Sequence, residues 1–421
     1  MRIAIVGTGI SALTSAHHLS KEHDVQLFEA TDWIGGHTHT VDVAVGDQSY
    51  AVDTGFIVFN EHTYPNYLAL LDELKVPYQP SCMSFSVKCE ESGLEYNGTS
   101  LDTLFAQRRN IVNPRFLRML WDIYRFYQSA EGLLAAGDSR TLGDFLTQER
   151  YSKAFIDQHI VPMAAAVWSA PPSQMMAFPL RYLLRFFHNH GFTKVNDRPQ
   201  WYVIQGGSRE YVKVLTRPFI DRIHLKSPVQ SITRFDDRVE LQVNGETLTF
   251  DEVVIGCHSD TALKLLSDPS EVESEVLGSI PYQRNDVVLH TDASLMPESK
   301  RAWASWNYRL PEGRQGDSTV TYWMNRLQSL PKDAPEFFVS LNQNDAIDPA
   351  HVLRSFVYDH PVYTDATLAA QARHHEISGV NRTHYCGAYW FYGFHEDGVK
   401  SGLRVAKALM GARRNAREQA A

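Results

Sequence analysis

Apolar residues in the first eighty positions occur in short runs separated by glycines, a pattern that predicts a β-α-β unit followed by a hairpin. Residues 2–6 form a nearly continuous apolar run, typical of a strand buried on both faces, and a helical pattern follows. A second strand is predicted over residues 25–28. Between residues 41 and 53, apolar and polar positions alternate on both sides of Gly46-Asp47, which predicts a hairpin with a two-residue turn.

Strand and helix patterns return in the middle of the chain and at its end. In the middle, strands are predicted at residues 201–205, 223–229 and 251–257, and a hairpin at Asn244-Gly245. Near the C-terminus, a short strand pattern and an aromatic loop precede a helix whose apolar residues recur every three or four positions from Val399. Asn113 followed by Pro114 predicts another helix start, since it places a capping residue before a first-turn proline.

The first strand and the first helix are joined by residues 7–12, which have the spacing G-x-G-x-x-A of a dinucleotide-binding turn. Gly7 permits the tight turn, Gly9 lets a pyrophosphate approach the backbone, and Ala12 is small enough for the helix to pack on the strand. Glu29 lies 22 residues after Gly7. An acid at this distance accepts hydrogen bonds from a ribose hydroxyl and repels a 2′-phosphate. The alternative interpretation is an ordinary β-α-β turn.

The composition restricts the classes of protein to which the chain can belong. Its 421 residues predict two domains or one large composite domain. With 43% hydrophobic and 21% charged residues it is typical of a globular protein, and the formal charge of −9 argues against a nucleic-acid partner. No apolar run reaches the length of about 20 residues that a membrane span needs, and no signal peptide is predicted. The four scattered cysteines favour reduced thiols and a cytoplasmic location.

These motifs make the chain similar to the FAD-dependent superfamily of flavin-containing amine oxidases and phytoene desaturases, and within it to a bacterial subgroup described as predicted NAD/FAD-binding oxidoreductases. The resemblance is carried by the G-x-G-x-x-A turn, Glu29, the pair Gly35-Gly36 and the V-D-x-G segment at residues 52–55. It implies FAD as the cofactor. One position differs, because many relatives carry Arg or Lys after the glycine pair, whereas this chain has His37.

The resemblance also implies which residues contact FAD. The first turn holds the pyrophosphate, the acid holds the adenosine ribose, and the segments after the glycine pair and after V-D-x-G lie along the flavin. Asp397 is interpreted as the N-cap of a closing helix, whose positive end favours the reduced flavin. The implied contacts are Gly7, Gly9, Ile10, Ser11, Ala12, Glu29, Ala30, Gly35, Gly36, His37, Thr38, Thr54, Gly55, Phe56, Val229, Glu396, Asp397 and Val399.

The pattern and the resemblance together predict an α/β fold that is α+β in part. A Rossmann-like FAD-binding domain with a parallel sheet is expected to comprise residues 1–80, 200–265 and 380–421. It is interleaved with a mixed sheet-and-helix substrate domain at residues 81–199 and 266–379.

The intervening segments contain two stretches that mix basic and aromatic residues. Residues 104–128 include five arginines and one acid, with Trp121 and Tyr124 among them. One interpretation is a surface that rests on anionic lipid at the inner face of a membrane and admits a lipid substrate. The other is a solvated face of a core helix, with Asp122 among the arginines of that face. Residues 179–187 are interpreted either as the lining of a hydrophobic tunnel or as core.

Other chemistry has little support in the sequence. The pairs His37/His39 and His188/His190 have a spacing that could bind a metal, but no carboxylate or cysteine pattern accompanies them. Ordinary hydrogen-bonded histidines and no metal are therefore expected. Because no second G-x-G-x-x-G occurs, a separate NAD(P)H domain is not expected, and electrons should pass from the substrate to oxygen, a quinone or a carrier protein.

The functional prediction is an FAD-dependent oxidoreductase that takes a hydride from an apolar substrate, an unsaturated or modified fatty acyl chain, in an oxidation, desaturation or isomerisation. A flavin amine oxidase is the alternative. The resemblance implies two features that such enzymes usually have, a tyrosine ring beside the substrate amine and a lysine near the flavin. This chain has Phe394 at the position of the tyrosine, and residues 265–299, where the lysine is expected, contain none. A non-catalytic FAD-binding or redox-sensing partner protein is the alternative of another class. Phe56, Tyr392 and Phe394 are expected on the substrate side of the flavin or packed against it, and no catalytic acid or base is identified.

Overall fold

The computed structural model describes residues 1–192, 199–313 and 318–420, with side chains up to residue 411. Its strands are β1 (Arg2–Val6), β2 (Asp24–Phe28), β3 (Thr40–Val45), β4 (Gln48–Asp53), β5 (Phe59–Asn60), β6 (Tyr78–Ser81), β7 (Phe85–Cys89), β8 (Leu94–Asn97), β9 (Trp201–Ile204), β10 (Ile223–His224), β11 (Val229–Arg234), β12 (Val239–Val243), β13 (Glu246–Phe250), β14 (Glu252–Ile255), β15 (Tyr282–His290), β16 (Trp306–Leu310), β17 (Val320–Trp323), β18 (Phe338–Leu341), β19 (Val352–Pro361) and β20 (Thr383–Tyr385). Its α-helices are α1 (Ile10–Leu19), α2 (Pro65–Leu74), α3 (Leu101–Leu104), α4 (Pro114–Ala136), α5 (Leu142–Gln148), α6 (Lys153–Phe155), α7 (Val161–Trp168), α8 (Pro172–Met176), α9 (Leu180–Asn189), α10 (Arg209–Thr216), α11 (Ser259–Leu265), α12 (Glu271–Gly278), α13 (Met324–Leu327), α14 (Asp365–Ala372), α15 (His374–Ile377) and α16 (His395–Ala420).

A five-stranded parallel sheet, with the strand order β10-β2-β1-β14-β20, forms the first layer. Strand β1 is apolar on both faces because both faces are covered. Ile3 and Ile5 pack in a core with α1 and α16, whereas Ala4 and Val6 pack in a core with β11, β12 and β13. The parallel sheet predicted from the sequence is therefore confirmed.

A second large sheet contains seven strands in the order β19-β15-β18-β17-β16-β7-β8. Strands β16 and β7 are parallel, and the other neighbours in this sheet are antiparallel, so the sheet is mixed. Helices α4 to α9 share one apolar core with it. The predicted α/β class with an additional mixed sheet is confirmed, while the division of the chain into two domains stays a prediction.

Both predicted hairpins are present. Gly46-Asp47 connects β3 to β4, and Asn244-Gly245 connects β12 to β13. Asn244 and Gly245 have φ angles of +51° and +84°. Two successive positive φ angles are what a two-residue turn between right-twisted strands requires, and Asn-Gly adopts them at low cost.

Two predicted strands differ from the structure. The pattern over residues 223–229 is not one strand, because Lys226 has a φ of +50° and turns the chain between β10 and β11. Strand β10 extends the parallel sheet, and β11 begins a separate three-stranded antiparallel sheet with β12 and β13. Strand β9, predicted near residue 201, pairs antiparallel with β5 and β6 outside the parallel sheet.

Helix α4 begins as the sequence predicts. The side chain of Asn113 accepts hydrogen bonds from the backbone amides of Arg115 and Phe116, and Pro114 occupies the first turn. The helix ends at Gly137, which has a φ of +67°. A left-handed glycine at this position is a common way to terminate a helix.

The prediction of a solvated charged face on α4 is wrong at Asp122, which is fully buried. The segment before α6 covers this residue, and the backbone amide of Ser152 donates a hydrogen bond to its carboxylate at 2.9 Å. Arg118 and Arg125 pair with the same carboxylate at 3.2 Å each. A buried carboxylate is stable only with such partners, so two of the arginines serve the fold in addition to the surface.

Candidate cofactor site and active site

The first glycine-rich turn presents a backbone surface that is open to a ligand. Gly7 has a φ of +93°, a conformation that favours glycine. A Cβ atom on Gly9 would meet nothing within 4 Å, so the space above this residue is free. Helix α1 starts directly after Gly9 without a side-chain cap. The amides of Ile10, Ser11 and Ala12 are therefore left for an anion, which a helix N-terminus favours.

Glu29, at the end of β2, directs its carboxylate to the first turn. One oxygen accepts hydrogen bonds from the amide and the hydroxyl of Thr8, at 3.0 and 2.7 Å, and the other accepts from the amide and the hydroxyl of Thr31, both at 2.9 Å. Two of these four donors are side-chain hydroxyls that can rotate, so ribose hydroxyls can replace them. Ala30 is exposed, and Val229 is half-buried at the start of β11.

The pair Gly35-Gly36 contacts the first turn. Its φ angles are +128° and +59°, and a Cβ atom on Gly36 would lie 3.1 Å from the Cα atom of Gly9. The backbone amide of Gly35 donates to the Thr8 hydroxyl at 3.3 Å. A side chain at the second position would therefore push the two turns apart, which explains why glycine stands there.

The segment that follows V-D-x-G returns to the same place. A Cβ atom on Gly55 would lie 2.1 Å from the carbonyl oxygen of His37, and the amide of Phe56 donates to this oxygen at 2.8 Å. One position earlier, the hydroxyl of Thr54 donates to the carbonyl of His39 at 3.0 Å. Residues 37–39 and 54–56 are thus held as a pair of antiparallel segments beside the first turn.

The closing motif, defined as residues 384–402, contains the start of α16, and this helix packs on α1. A Cβ atom on Gly398 would lie 2.5 Å from Cγ2 of Ile10, and one on Gly402 would lie 2.4 Å from the carbonyl oxygen of Ser11. The two helices therefore touch through glycines one turn apart. Val399 is buried in the core that α16 shares with α1. The N-terminal turn and the closing motif consequently lie side by side.

The two acids of the closing motif are engaged within the protein. The carboxylate of Glu396 accepts hydrogen bonds from the amides of Asn66 and Tyr67 in the first turn of α2, at 3.1 and 2.9 Å. Asp397 is not the N-cap of α16, because the helix begins two residues earlier. It accepts a hydrogen bond from the amide of Phe394 at 3.0 Å, as the acid of a capping box does. Burial raises the pKa of Asp397 to about 7 and also raises the pKa of Glu396.

His395, which sequence reasoning did not select, lies between these elements. Its ring stacks on Phe56 with a centroid separation of 3.6 Å and an interplanar angle of 8°. Its Nε2 atom is hydrogen-bonded to the Tyr211 hydroxyl at 2.7 Å, which is bonded in turn to the Thr38 hydroxyl at 2.7 Å. Burial lowers the pKa of His395 to about 3, so the ring is neutral at pH 7. Its place within the closing motif was the only signal in the sequence.

An aromatic wall flanks the start of α16, defined as Tyr182, Phe186, Tyr363, Tyr392 and Phe394. The ring centroids of Tyr182 and Tyr392 are 4.6 Å apart, and those of Phe186 and Phe394 are 4.8 Å apart. Tyr392 and Phe394, two of the predicted substrate-side residues, stay half-buried. The third, Phe56, lies against His395 instead.

The segment at residues 179–187 mainly supplies core. In α9, the buried residues are Leu180, Leu183, Leu184, Phe186 and Phe187. Arg181 and Arg185 point to solvent. Tyr182 reaches the closing motif, where its hydroxyl donates to the carbonyl of Phe391 at 2.9 Å. Core packing therefore accounts for most of this helix, and two of its rings belong to the aromatic wall.

Ordinary hydrogen bonds hold two of the four paired histidines, His39 and His190, as expected. His39 bonds to the Tyr358 hydroxyl at 2.9 Å, and His190 bonds to the carbonyl of Phe186 at 3.0 Å. His37 and His188 each retain one buried ring nitrogen without a hydrogen-bond partner in the described parts of the chain. Within residues 1–192, 199–313 and 318–420, no three His, Cys, Asp or Glu side chains are arranged to hold a metal ion.

Comparisons with known proteins agree with this arrangement. The sequence profile of a family described as flavin containing amine oxidoreductase matches residues 10–410. No curated protein sequence matches the chain. Among solved structures, cyclohexylamine oxidase from Brevibacterium oxydans IH-35A is similar, with a TM-score of 0.71 at 18% identity over 98% of this chain and 99% of that one. A CLA-producing fatty acid isomerase from P. acnes has a TM-score of 0.65 at 16% identity, over 97% and 98% of the two chains. Reduced UDP-galactopyranose mutase has a TM-score of 0.67 at 14% identity, over 98% and 96%. At these identities the structures share the fold.

Proposed function

Because the chain belongs to the flavin-containing amine oxidoreductase family, and is therefore an FAD-dependent oxidoreductase, we propose that it takes a hydride from an unsaturated or modified fatty acyl chain. The superfamily, the cofactor and the enzymatic nature predicted from the sequence are confirmed. The alternative of a non-catalytic FAD-binding partner is set aside for the same reason. The substrate class is supported by one observation above all, the aromatic wall beside the closing motif.

The residues of the site fit FAD. The free amides of α1 and the open space above Gly9 suit a pyrophosphate, and the carboxylate of Glu29 suits the adenosine ribose. We assign Ala30 and Val229 to the adenosine side. We assign Gly35, Gly36, Thr38, Thr54, Gly55 and Phe56 to positions along the flavin. His37 directly follows the glycine pair that contacts Gly9, and we assign it to the border between the flavin and the diphosphate. The start of α16 contains the last three assigned residues, Glu396, Asp397 and Val399. The side chain of Glu396 faces α2 and that of Val399 faces the core. We therefore assign both residues a contact with FAD through their backbone atoms.

Bound FAD supplies the acceptor for the hydride. The protein contributes orientation and exclusion of water. The rings of Tyr392 and Phe394 offer an apolar surface along which an acyl chain can lie, and the neutral ring of His395, held by Tyr211, fixes the position of Phe56. The exposed Arg185 stands close enough to Tyr392 to oppose the rise in the tyrosine pKa that burial causes. A guanidinium at the rim of the wall suits the carboxylate or phosphate end of a lipid.

Two features distinguish this site from that of an amine oxidase. Phe394 has no hydroxyl where a cage tyrosine is expected from the family resemblance. Residues 265–299 contain no lysine, and they include β15 (Tyr282–His290), the second strand of the mixed sheet. Both features favour an apolar substrate over an amine.

The test of the substrate class is anaerobic reduction of the purified FAD-loaded protein. Fatty acids or phospholipids with unsaturated chains should bleach the flavin absorption, whereas primary and secondary amines should not. Bleaching by amines alone would establish the amine oxidase alternative. An isomerase would change the lipid without net bleaching of the flavin. Chromatography and mass spectrometry of the lipid products would then show an isomer of unchanged mass, which also supports an acyl-chain substrate. Re-oxidation of the reduced flavin by oxygen, by a soluble quinone or by an oxidised electron-carrier protein, each of which is reduced in the step, then distinguishes the three proposed acceptors.

We also propose that the protein works at the inner face of a membrane, as a cytoplasmic protein that binds anionic lipid through a basic aromatic surface. This surface is defined by the exposed apolar side chains Leu101, Ile111, Val112, Leu117, Trp121 and Tyr124 together with Arg108, Arg109, Arg115, Arg118 and Arg125. One stripe of α4 is formed by Leu117, Trp121 and Tyr124, and the buried Met119, Phe126 and Ala130 lie on the opposite side of the helix. Within the described residues, no helix has the length and hydropathy to cross a bilayer.

The positive charge of this surface favours an anionic lipid bilayer, and not another protein, as its binding partner. Residues 101–128 contain five arginines and two aspartates on a chain whose formal charge is −9. Trp121 and Tyr124 are 57% and 52% exposed, with ring centroids 5.7 Å apart. Large exposed aromatic residues beside arginines are typical of surfaces that lie in the headgroup region, where each basic residue contributes about 1 kcal/mol.

Vesicle sedimentation tests this surface. Binding to vesicles of phosphatidylglycerol and phosphatidylcholine should exceed binding to phosphatidylcholine alone and should weaken in high salt. Trp121→Ser should reduce binding about tenfold, because an exposed tryptophan contributes on the order of 1–2 kcal/mol when it enters the interface. Phe235→Ser is the matched control, since Phe235 is 38% exposed in the turn between β11 and β12, outside the basic aromatic surface. Equal binding of both variants, or self-association through this surface with no lipid binding, would contradict the proposal.

A further inference from the structure

We propose that His37, His258 and His360 form a proton-accepting subsite for the FAD diphosphate, so that binding of the cofactor takes up a proton from solvent. The inference rests on the placement of FAD proposed above. It concerns three side chains from three separate segments, the loop after Gly36, the loop after β14 and strand β19.

The three imidazole rings converge on one another. The ring centroid of His37 lies 6.0 Å from that of His258 and 5.4 Å from that of His360. His258 stacks on Tyr282 with a centroid separation of 4.4 Å. All three histidines are half-buried, so the cluster is not completely covered by the protein.

The cluster borders the first glycine-rich turn. Gly36, next to His37, touches the Cα position of Gly9, as described above. Gly256 stands two residues before His258, and a Cβ atom on it would lie 2.7 Å from the Cβ atom of Ala12. The loops that carry His37 and His258 therefore pack against Gly9 and Ala12 of the G-x-G-x-x-A turn, whose following helix has no side-chain cap.

The hydrogen bonding of the cluster leaves capacity for an anion. The Nε2 atom of His37 is buried and has no partner among the described residues. The side-chain amide of Asn285 approaches Nδ1 of His360 at 3.3 Å. Because an amide nitrogen donates, this contact makes Nδ1 the acceptor and leaves Nε2 of His360 to donate. In the described part of the chain, none of the three rings forms an ion pair with a carboxylate.

The electrostatic surroundings keep the cluster neutral until an anion arrives. Burial, followed by repulsion from His360, His258 and His395, lowers the pKa of His37 well below its ordinary value. Burial and His258 lower the pKa of His360 to about 4. Burial also lowers the pKa of His258, although Asp260 and Asp359 oppose this shift.

The remaining groups that face the cluster are uncharged phenols. The ring of Tyr358 lies 5.0 Å from that of His37, and Tyr282 covers His258. Burial raises the pKa of Tyr358 to about 12, so this phenol carries no charge near pH 7. A diphosphate with two negative charges would thus be the dominant charge beside the cluster, and such a neighbour raises a histidine pKa by about 1–3 units.

The sign of the pH dependence follows from these shifts. A histidine whose pKa is higher in the FAD complex than in the free protein binds a proton when FAD binds. Affinity should therefore rise as the pH falls, by up to about tenfold per pH unit for each proton, within the window between the pKa values of the free and bound states. Above that window the affinity should become independent of pH.

Calorimetric titration of the FAD-free protein with FAD tests the inference without measuring activity. At pH 6.5, in buffers with different ionisation enthalpies, the observed enthalpy should change in proportion to proton uptake, with an expected value between about 0.3 and 1 proton per FAD. The dissociation constant should fall at least about threefold from pH 8 to pH 6. His37→Arg should reduce the uptake and strengthen binding at pH 8, because the arginine carries its charge at every pH.

His258→Asn and His360→Asn should each lower the proton uptake. His290→Asn is the matched control, because His290 is a fully buried histidine whose pKa burial lowers to about 4 and which bonds to Ser340 in the mixed sheet. Its uptake should equal that of the wild type. FAD binding with no proton uptake between pH 5.5 and 8.5 would overturn this inference while leaving the proposed function intact. Failure to bind FAD at any pH would overturn both.

Discussion

Replacing Gly402 by alanine should separate the two helices that bring the chain ends together. The new Cβ atom would lie 2.4 Å from the carbonyl oxygen of Ser11 and 2.8 Å from the Cβ atom of Thr14. An ordinary contact at such a position measures 3.4–4 Å, and a backbone oxygen cannot rotate away as a side chain can. Helix α16 must therefore shift by about 1 Å, and overpacking of this kind typically costs about 1–3 kcal/mol.

The matched control is Gly411→Ala, in the same helix. A Cβ atom on Gly411 would meet nothing within 4 Å, so this change keeps only the intrinsic preference of a helix for alanine, a gain of about 1 kcal/mol. The same gain is present in Gly402→Ala. The difference between the two variants consequently isolates the overlap with α1, and we expect Gly402→Ala to be less stable by about 1–3 kcal/mol.

Two measurements check this prediction. Urea unfolding followed by circular dichroism compares the midpoints of the two variants, provided that their slopes agree. Titration with FAD measures the second effect, because displacement of Ser11 and Ile10 also displaces the amides proposed to hold the pyrophosphate. We expect the FAD dissociation constant of Gly402→Ala to rise about tenfold, which corresponds to about 1.4 kcal/mol. Equal stability and equal FAD affinity of the two variants would refute the close contact of α16 with α1.

Three further predictions concern single side chains. Glu29→Ala should weaken FAD binding about 10–100-fold in a fluorescence titration, since it removes the acceptor for two ribose hydroxyls; unchanged affinity would refute its role. Phe394→Ser should slow flavin reduction by an acyl substrate at least about tenfold in stopped-flow measurements, whereas Phe394→Leu should retain most of the rate because it keeps the apolar surface. Burial raises the pKa of the fully buried Asp53 to about 6, above its ordinary 3.8. The folded protein therefore binds a proton at this carboxyl more tightly than the unfolded chain does, so the stabilisation is greatest below pH 4 and is lost as the pH rises through 6. Relative to Asp53→Asn, the wild type should lose up to about 3 kcal/mol of unfolding free energy between pH 4 and pH 7, and a constant difference between the two proteins would contradict this.

The elements that could be predicted are those whose signals are local. The turn at residues 7–12, the strand before it and the acid at Glu29 are encoded within 30 residues, and both hairpins are marked by their turn residues. The strand at residues 223–229 could not be placed correctly. Its apolar residues are interrupted by Lys226, Ser227 and Pro228, which mark a turn, but nothing local shows that the chain passes at this turn from one sheet to another.

Contacts between distant segments account for what the sequence could not show. Asp122 lies among arginines along α4, and the loop at Ser152 that buries it comes 30 residues later. His395 carries no spacing signal, because its partner Tyr211 lies on α10 and its stacking partner is Phe56. The three histidines of the proposed diphosphate subsite meet only after β14 and β19 have joined different sheets.

Asp53 shows how one residue of a recognisable motif can have its role outside the site that the motif marks. In the V-D-x-G segment, the neighbouring Gly55 and Phe56 face His37, yet the carboxylate of Asp53 points away. It accepts hydrogen bonds from the Thr40 hydroxyl at 2.5 Å, the Ser208 amide at 2.9 Å and the Gln328 side chain at 3.0 Å.

These three donors belong to the hairpin, to the start of α10 and to the segment after α13 in the mixed-sheet region. One buried carboxylate thereby joins three parts of the chain that are separated by more than 100 residues. Helix α10 in turn carries Tyr211, which holds His395 in place. We infer that Asp53 positions the active site indirectly, because it attaches α10 and thereby Tyr211 to the rest of the protein. We assign the contact with the cofactor to Gly55, two residues later in the same motif.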